Sequence, residues 1–407
     1  MPIFCEASMA KLAFTLPNPD ATGACKMALS FALACRSRGH SVKLLHGSPP
    51  TDQPTVLDDF NAAGIPAHLN PGFGPKASLS VLRWLTREAR GTDALVSFFV
   101  ATDTKYLAPV SRRLGIPHIA SVQNDLIVYG NALSRPVKAA LLGLIYRHGV
   151  DLAVCTSTRI RDALIQRHGM PPERTQLLPN SIDTHATEVR PLRSRSEVRA
   201  ELGVAETDFL WLQVGRLDPQ KGQDVLIEAF QAKPPGKLPS VLCIVGGETA
   251  NSDASREYAE RLRLQASQTA SAGSVRFLGW RSDVPSLLRA ADAYVHSARW
   301  EGAPLAVLEA MAAGLPVLYS DCGGHMDGFE EGVHGHCTPA GDAGALARAL
   351  ASMEANTAEQ RVQIGQSCAL LVRKNFDVST NAARFVDMLE QVIATRRGTP
   401  RNQTQAS

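Results

Sequence analysis

Two series of short apolar runs, each followed by a turn and then a stretch with helical spacing, occupy nearly the whole chain and decide its fold class. "KLAFTLP" (residues 11–17) leads through a glycine-containing turn into "CKMALSFALACRSRG", whose apolar positions recur at helical spacing and stop at Gly39. "HSVKLLHG" follows as a second strand, then "DALVSFFV", the helical "TDTKYLAPVSRRLG", "PHIASVQ", a long helical stretch around "RPVKAALLGLIYRHG", and "DLAVCTS". Strands joined by helices of this length pair in parallel, and helices then cover both sheet faces. "TQLLPNSID" (175–183) reads as the last strand and turn of this half, and "HATEVRPLRSRSEVRAELG" as a polar, charged crossing. A second alternation then runs from "DFLWLQVG" through "SVLCIVGG", "VRFLGW" and "AYVHS" to "PVLYSD". The prediction is an α/β chain of two doubly wound parallel-sheet domains, 9–185 and 186–378, facing across a cleft. A helix at 379–396 is expected to return to the first domain, residues 1–8 to form a short extension, and the polar tail 397–407 to be disordered.

A length of 407 residues with 44% hydrophobic and 20% charged composition suits two such cores. The net charge of +3 is too small to suggest a nucleic-acid partner, yet it divides unevenly. Residues 1–185 carry 19 Lys and Arg against 13 Asp and Glu, whereas 186–407 carry 23 against 26. Eight scattered cysteines with no C-x-x-C pair fit a reducing cytoplasm rather than a disulfide frame or zinc site. No apolar run approaches the roughly 18 residues of a membrane span. The expected location is cytoplasmic, at most peripheral at the inner face of a membrane.

In doubly wound sheets ligands bind beyond the carboxyl ends of the strands, so the loops after "WLQVG", "CIVGG", "RFLGW" and "AYVHS" should carry the chemistry. After "WLQVG", Gly215 lets the chain leave its strand, and Arg216 and Lys221 place two cations near the start of the next helix, whose free amides favour an anion. That suits a diphosphate; two surface cations in a turn is the competing reading. After "AYVHS", Pro304 suits the first turn of a helix, with Glu301 in the loop before it and Glu309 about a turn and a half inside. The amides of Ala303 and Leu305 would form a second anion-binding end, and the carboxylates would suit vicinal hydroxyls. A helix-dipole role explains one glutamate but not the second, flanked by "AVL" and "AMAAGLPV".

Taken together, "VGRLDPQKGQDVLIEAF", "VRFLGW…LLRAADAYVHSARWEGAPLAVLEAMAAGLPVLYSDCGG" and "LLPNSID" resemble the retaining glycosyltransferases of family 4, and "KLAFTLPNPDATGACKMALSFALACRSRGHSVKLL" is a looser likeness in the first half. The resemblance implies a GT-B fold of two Rossmann-like domains. It implies transfer of a hexose-type sugar from a UDP-, GDP- or ADP-sugar, with retention, to a saccharide or lipid-linked acceptor in cell-envelope polysaccharide, lipopolysaccharide or glycolipid synthesis. By the same resemblance Arg216 and Lys221 bind the donor diphosphate, Glu309 the ribose and Glu301 the transferred sugar. The loop Gly279–Trp280–Arg281 lies by the base. Gly23, Gln123 and Asn124 fall on the acceptor side or face the phosphates.

The chain departs from the family pattern in several places. Asn180-Ser181-Ile182-Asp183 replaces an Asn-Gly-x-Asp, Thr22-Gly23 a Gly-Gly pair, and Asp327 a frequent glutamate. Gln123 stands where relatives often have histidine, and it can exchange hydrogen bonds but carry no proton at neutral pH.

Breaking a sugar–diphosphate bond develops negative charge on the leaving oxygen, which fixed cations or a metal must meet. No two aspartates are spaced Asp-x-Asp, so Arg216, Lys221 and helix amides are expected to serve, with neither metal nor cofactor. A dinucleotide oxidoreductase would need G-x-G-x-x-G after its first strand, where "PNPDATGACK" has one glycine. A GT-B epimerase or phosphorylase, or a non-catalytic sugar-nucleotide binder, are the remaining alternatives. The apolar helix flanked by Arg135, Lys138 and Arg147 suits either an anionic lipid surface or, more simply, a buried core position.

Overall fold

The computed structural model describes residues 9–20, 22–49, 55–99, 102–123, 134–184, 193–236, 238–249, 252–268, 274–302, 304–322 and 326–398, the side chains of 134–136 and 398 excepted. The expected extension at 1–8, and residues 399–407 of the expected tail, lie outside them. The chain divides into two units, one formed by residues 1–180 with 379–407 and the other by 181–378.

The first unit carries seven parallel strands in the order β3-β2-β1-β4-β5-β6-β7. They are β1 (Lys11–Leu16), β2 (Ser41–His46), β3 (Ala67–Leu69), β4 (Ala94–Ser97), β5 (His118–Val122), β6 (Leu152–Cys155) and β7 (Thr175–Leu177). The helices are α1 (Gly23–Ser37), α2 (Leu57–Ala62), α3 (Leu79–Glu88), α4 (Thr104–Leu114), α5 (Ser134–Gly149) and α6 (Thr158–His168). The interior strands are apolar on both faces, as parallel strands between two helix layers must be: β4, β5 and β6 are buried throughout. The long helix Val378–Gly398 belongs with this unit from Ser379 onward. Phe385 stacks on Phe31 of α1 with centroids 4.1 Å apart, and Arg38 reaches Asp387 at 2.8 Å. Farther along, Arg396 and Arg397 pair with Asp151 and Asp93, so the helix continues past 396 into the stretch expected as tail.

The second unit carries six parallel strands in the order β10-β9-β8-β11-β12-β13. These are β8 (Phe209–Val214), β9 (Ser240–Val245), β10 (Val275–Gly279), β11 (Ala293–His296), β12 (Val317–Asp321) and β13 (Gly335–Pro339). Each sheet face buries its own cluster. Leu210, Leu212, Tyr294 and Tyr319 fill one, and Trp211, Leu242, Val295 and Leu318 the other. The stretch expected as a polar crossing contains a helix, Arg195–Glu201, started by a capping box of Ser194 and Glu197. Its Arg199 is fully buried and donates to Asp292 and to the carbonyls of Ala290, Ala205 and Asp208, which is how a charged segment joins a core.

Among the described residues no helix is long and apolar enough to cross a membrane. The seven described cysteines are free thiols, six of them buried.

Candidate functional site

Strands β8 and β11 are neighbours, with Trp211 opposite Ala293 and Leu212 opposite Tyr294. From this pair the sheet grows outward in both directions, so the chain leaves β8 and β11 toward opposite sides and opens a crevice at their carboxyl ends. The loops that follow these two strands are bolted together there. After β8 come Gly215 and Arg216, then a single 3-10 turn, Pro219–Lys221, capped by the Asp218 side chain. Gly222 follows in the left-handed region (φ 63°) and precedes the helix Gln223–Ala232. A β-carbon at Gly222 would lie 2.2 Å from the carbonyl oxygen of Ser297, so glycine is required both by conformation and by the approach of the β11 loop.

The fastening is extensive. Arg299 grips both oxygens of Asp224 (2.8 and 2.7 Å), and its backbone N–H donates to the Gln220 carbonyl at 2.8 Å. The amide of Gln220 donates in return to the Trp300 carbonyl at 3.0 Å, and the Ser297 hydroxyl to the Lys221 carbonyl at 3.0 Å. Across this joint the Lys221 ammonium is bonded to the Glu301 carboxylate, whose side chain is 10% exposed. Burial by itself would raise the Glu301 carboxyl; Lys221, with a further contribution from Arg216, more than offsets it and holds the group below the usual carboxylate range. Two cations and one carboxylate therefore share one electrostatic cluster.

Arg216 donates from Nη1 to the Thr249 hydroxyl at 3.4 Å, on the loop after β9. Thr249 is itself held by its N–H to the Ser255 hydroxyl (2.9 Å), which donates on to the Leu217 carbonyl. The loop after β10 closes on the same end, because the Gly246 N–H donates to the Gly279 carbonyl at 2.8 Å. Trp280 is half exposed and lies directly against Gly247, where an added β-carbon would meet its indole nitrogen at 2.5 Å. The Arg281 guanidinium is held by Glu201 and by both oxygens of Asp283, all at 2.8 Å.

Pro304 occupies the N-cap rather than the first helical position, and the helix runs Leu305–Ala312, so Glu309 is its fifth residue. Ala303 lies outside the described residues. Glu309 is half-buried, and both it and Glu301 act on the buried hydroxyl of Tyr294, which burial, followed by these two carboxylates, pushes far up. Both glutamates thus lie within electrostatic reach of one tyrosine of β11. Tyr294 also bridges to β8 by donating to the Val214 carbonyl.

His296, the last residue of β11, is fully buried beside Lys221 and Glu301, and neither ring nitrogen has a hydrogen-bond partner among the described residues. Burial, then the Lys221 charge, lowers it to about 4, so the imidazole is neutral at physiological pH.

In the first unit Gly23 opens α1 after β1, next to Thr22, whose hydroxyl donates to Asp20 at 2.7 Å. Gln123 is buried just past the end of β5; its amide nitrogen donates to Ser121 at 2.7 Å, while Oε1 has no partner among the described residues. Asn124 lies outside the described residues. No sequence pattern pointed to Asp103, a fully buried N-cap residue that accepts from the N–H groups of Phe98 and Phe99 and from the Thr15 hydroxyl through one oxygen. None pointed to Thr249, Asp224, Arg299, Tyr294 or His296 either, because each acquires its role only where segments distant in sequence meet.

Two all-parallel, doubly wound units in one chain, the second with a charged cluster at its switch point, define the GT-B fold class. Residues 194–368 match the family model for glycosyl transferases group 1, and residues 22–181 match that of a glycosyl transferase 4-like domain. The chain therefore carries a glycosyl transferase 4-like domain in its first unit and a group 1 glycosyl transferase domain in its second. It is 30% identical over 186 residues to an Escherichia coli UDP-Gal:alpha-D-GlcNAc-diphosphoundecaprenol alpha-1,3-galactosyltransferase, a match covering 43% of this chain and 46% of that protein. The lipopolysaccharide glucosyltransferase WaaG of Escherichia coli K12 is 28% identical over 305 residues, covering 71% and 74%. The chain spans about half the length of the first curated relatives it matches. In fold it is similar to Anabaena HepE, solved in complex with UDP-glucose, with a TM-score of 0.79, 22% identity and coverage of 94% and 100%.

Proposed function

We propose that the protein is a retaining hexosyltransferase that moves a sugar from a UDP-sugar to a hydroxyl of a lipid-linked saccharide. The observation that carries this reading is the Lys221–Glu301 pair with Arg216 at its side, set at the β8–β11 switch point. An excess of one positive charge in a crevice flanked by a helix start suits a diphosphate. Arg216 and Lys221 hold it in this reading, and the half-exposed Trp280 with the backbone of Gly279 and Arg281 borders the base. Glu309 accepts from the ribose hydroxyls and Glu301 from the sugar, with the amide of Leu305 turned to the same ligand. Gly215 keeps the chain close to the phosphates.

When the donor arrives, its phosphates compete with Glu301 for Lys221, which frees the carboxylate for the sugar. The C1–O bond to the diphosphate then breaks with its electron pair on the phosphate oxygen, where Lys221 and Arg216 meet the new charge. The acceptor hydroxyl forms the new bond to C1 on the same face, and its proton leaves toward the departing phosphate. Gly23, Gln123 and Asn124 are assigned to the acceptor side or to the donor phosphates. The UDP-sugars and lipid-linked acceptor in the names of the E. coli relative and the HepE complex support the choice of substrate class.

The test is titration calorimetry with UDP-, GDP- and ADP-sugars, followed by product analysis with a diphosphate-linked saccharide acceptor. Tightest binding of a UDP-sugar and an acceptor-dependent product are expected, and transfer should persist in excess EDTA because Arg216 and Lys221 occupy the place of a cation. Loss of activity on chelation, restored by magnesium, would overturn the metal-free part of the reading; absence of nucleotide-sugar binding would overturn the whole.

A further inference from the structure

The helix "RPVKAALLGLIYRHG" was expected, on the simpler view, to be a buried core element. Only one side of it is: Leu142 and Tyr146 are buried with Val150 and Ile160, whereas Val137, Leu141 and Leu144 are 70%, 57% and 54% exposed. Spacings of four and three residues put those three side chains on one face of α5, a stripe directed away from the core. Lys138 and Arg147 are exposed at either edge of it.

The helices on both sides continue the pattern. α5 lies between α4 and α6: a β-carbon at Gly149 would meet that of Ala108 at 2.3 Å, and one at Gly143 would meet His168 at 3.1 Å. On α4, Arg112 and Arg113 are exposed, and Arg112 reaches across to the His148 carbonyl at 2.8 Å. On α6, Arg159 and Arg167 are exposed as well. In sequence the three helices hold nine Lys and Arg against one acid, Asp162, which already accepts from Arg161. The whole chain is almost balanced, at 42 against 39, so this layer concentrates charge that the rest of the protein does not have.

From this juxtaposition, an exposed apolar stripe bordered on both sides by cations in a helix layer nearly free of acids, we propose that the α4–α5–α6 face docks on the surface of an anionic lipid bilayer. The cations match phosphate headgroups, and Val137, Leu141 and Leu144 are the groups that enter the acyl boundary. A nucleic acid would use the charge but leave the apolar stripe in water. The inference accords with a lipid-linked acceptor but does not rest on it.

The full-length chain should co-sediment with vesicles of phosphatidylglycerol in phosphatidylcholine and not with phosphatidylcholine alone. Raising salt from about 0.05 M to about 0.5 M should lower the bound fraction severalfold. Leu141→Glu with Leu144→Glu should lower it at least about tenfold, as should Lys138→Gln with Arg147→Gln and Arg167→Gln. All these positions are exposed, and an unchanged circular dichroism spectrum and urea midpoint serve as the check that the variants fold. Failure of the parent chain to sediment, equal binding to phosphatidylcholine, or full binding by the glutamate variant would each overturn the proposal. So would a dimer of the free chain that the glutamate variant abolishes, since a second copy would then be the occupant. Vesicle binding without nucleotide-sugar binding would uphold this inference while sinking the transferase reading, and the converse would do the reverse.

Discussion

A carboxylate buried as deeply as Glu301 needs a counter-charge, and Lys221 supplies it from a loop 80 residues away in sequence. That pairing makes the predicted effects of the two residues unequal. Arg216→Ala should weaken UDP binding by about 1.5–3 kcal/mol, the loss expected for a charge-assisted hydrogen bond, and calorimetry reads it directly. Glu301→Gln removes the competitor for Lys221, so UDP affinity should hold or rise while turnover falls; Glu309→Gln should instead weaken UDP itself. Equal losses of UDP affinity for the two glutamine variants would contradict the division of roles. Arg216, Lys221, Glu301 and Glu309 were legible in the sequence because charged residues at strand–helix junctions stand out from their apolar surroundings. Arg299 and Asp224 were not, since an ordinary surface arginine and a first-turn aspartate look like many others until the two loops are brought together.

At the scale of elements, the β8 and β11 loops behave as one piece because Arg299, Gln220, Ser297 and Lys221 cross-link them at several points. Gly222 is where this joint is least tolerant. Gly222→Ala would force a side chain into the left-handed region and against the Ser297 carbonyl, 2.2 Å from the new carbon. A loss of roughly 2 kcal/mol or more is expected in the second unit, read by urea denaturation, together with weaker UDP binding. Full retention of both would show that the loops are free to part. The interior strands of both sheets could be read from their apolar runs, but β3 and β13 could not. "AHL" and "GHCTP" are short edge strands with little apolar pattern, and Gly335 of β13 has φ 131° against the Val317 carbonyl, a geometry fixed by its neighbour.

For the molecule as a whole, two buried groups of the first unit oppose each other in their response to pH. Burial lowers His118 from 6.5 to about 4, so its contribution to stability is present above 6.5 and is lost as pH falls toward 4. Burial raises Asp103 from 3.8 to about 7, only partly countered by its hydrogen bonds, so its contribution is present below 3.8 and is lost as pH rises toward 7. Between about pH 4 and 6.5 the two slopes nearly cancel. Asp103→Asn keeps the oxygen that accepts from Phe98, Phe99 and Thr15 and removes the titration. Relative to the parent it should gain about 1.4 kcal/mol per pH unit across that window as pH rises. Hydrogen exchange of β1 and β4 measures this in the first unit without requiring the two units to unfold together. A pH-independent difference would mean that Asp103 stays ionised in the folded protein.

By itself the sequence determined the class of fold and the chemistry on offer. Periodicity is a local property, so alternating apolar runs and helical stretches specify parallel sheets, and Arg216, Lys221, Glu301 and Glu309 announce themselves by charge. Only the tertiary structure decided which of these groups meet. Lys221 and Glu301 became a pair, Tyr294 and His296 came within their electrostatic reach, and Arg281 was held by Glu201 and Asp283. It also decided which side of α5 is buried, because an apolar helix carries no mark of whether its second face meets protein or solvent. Those outcomes depend on which strands are neighbours, a relation between residues far apart in the chain that no local pattern encodes.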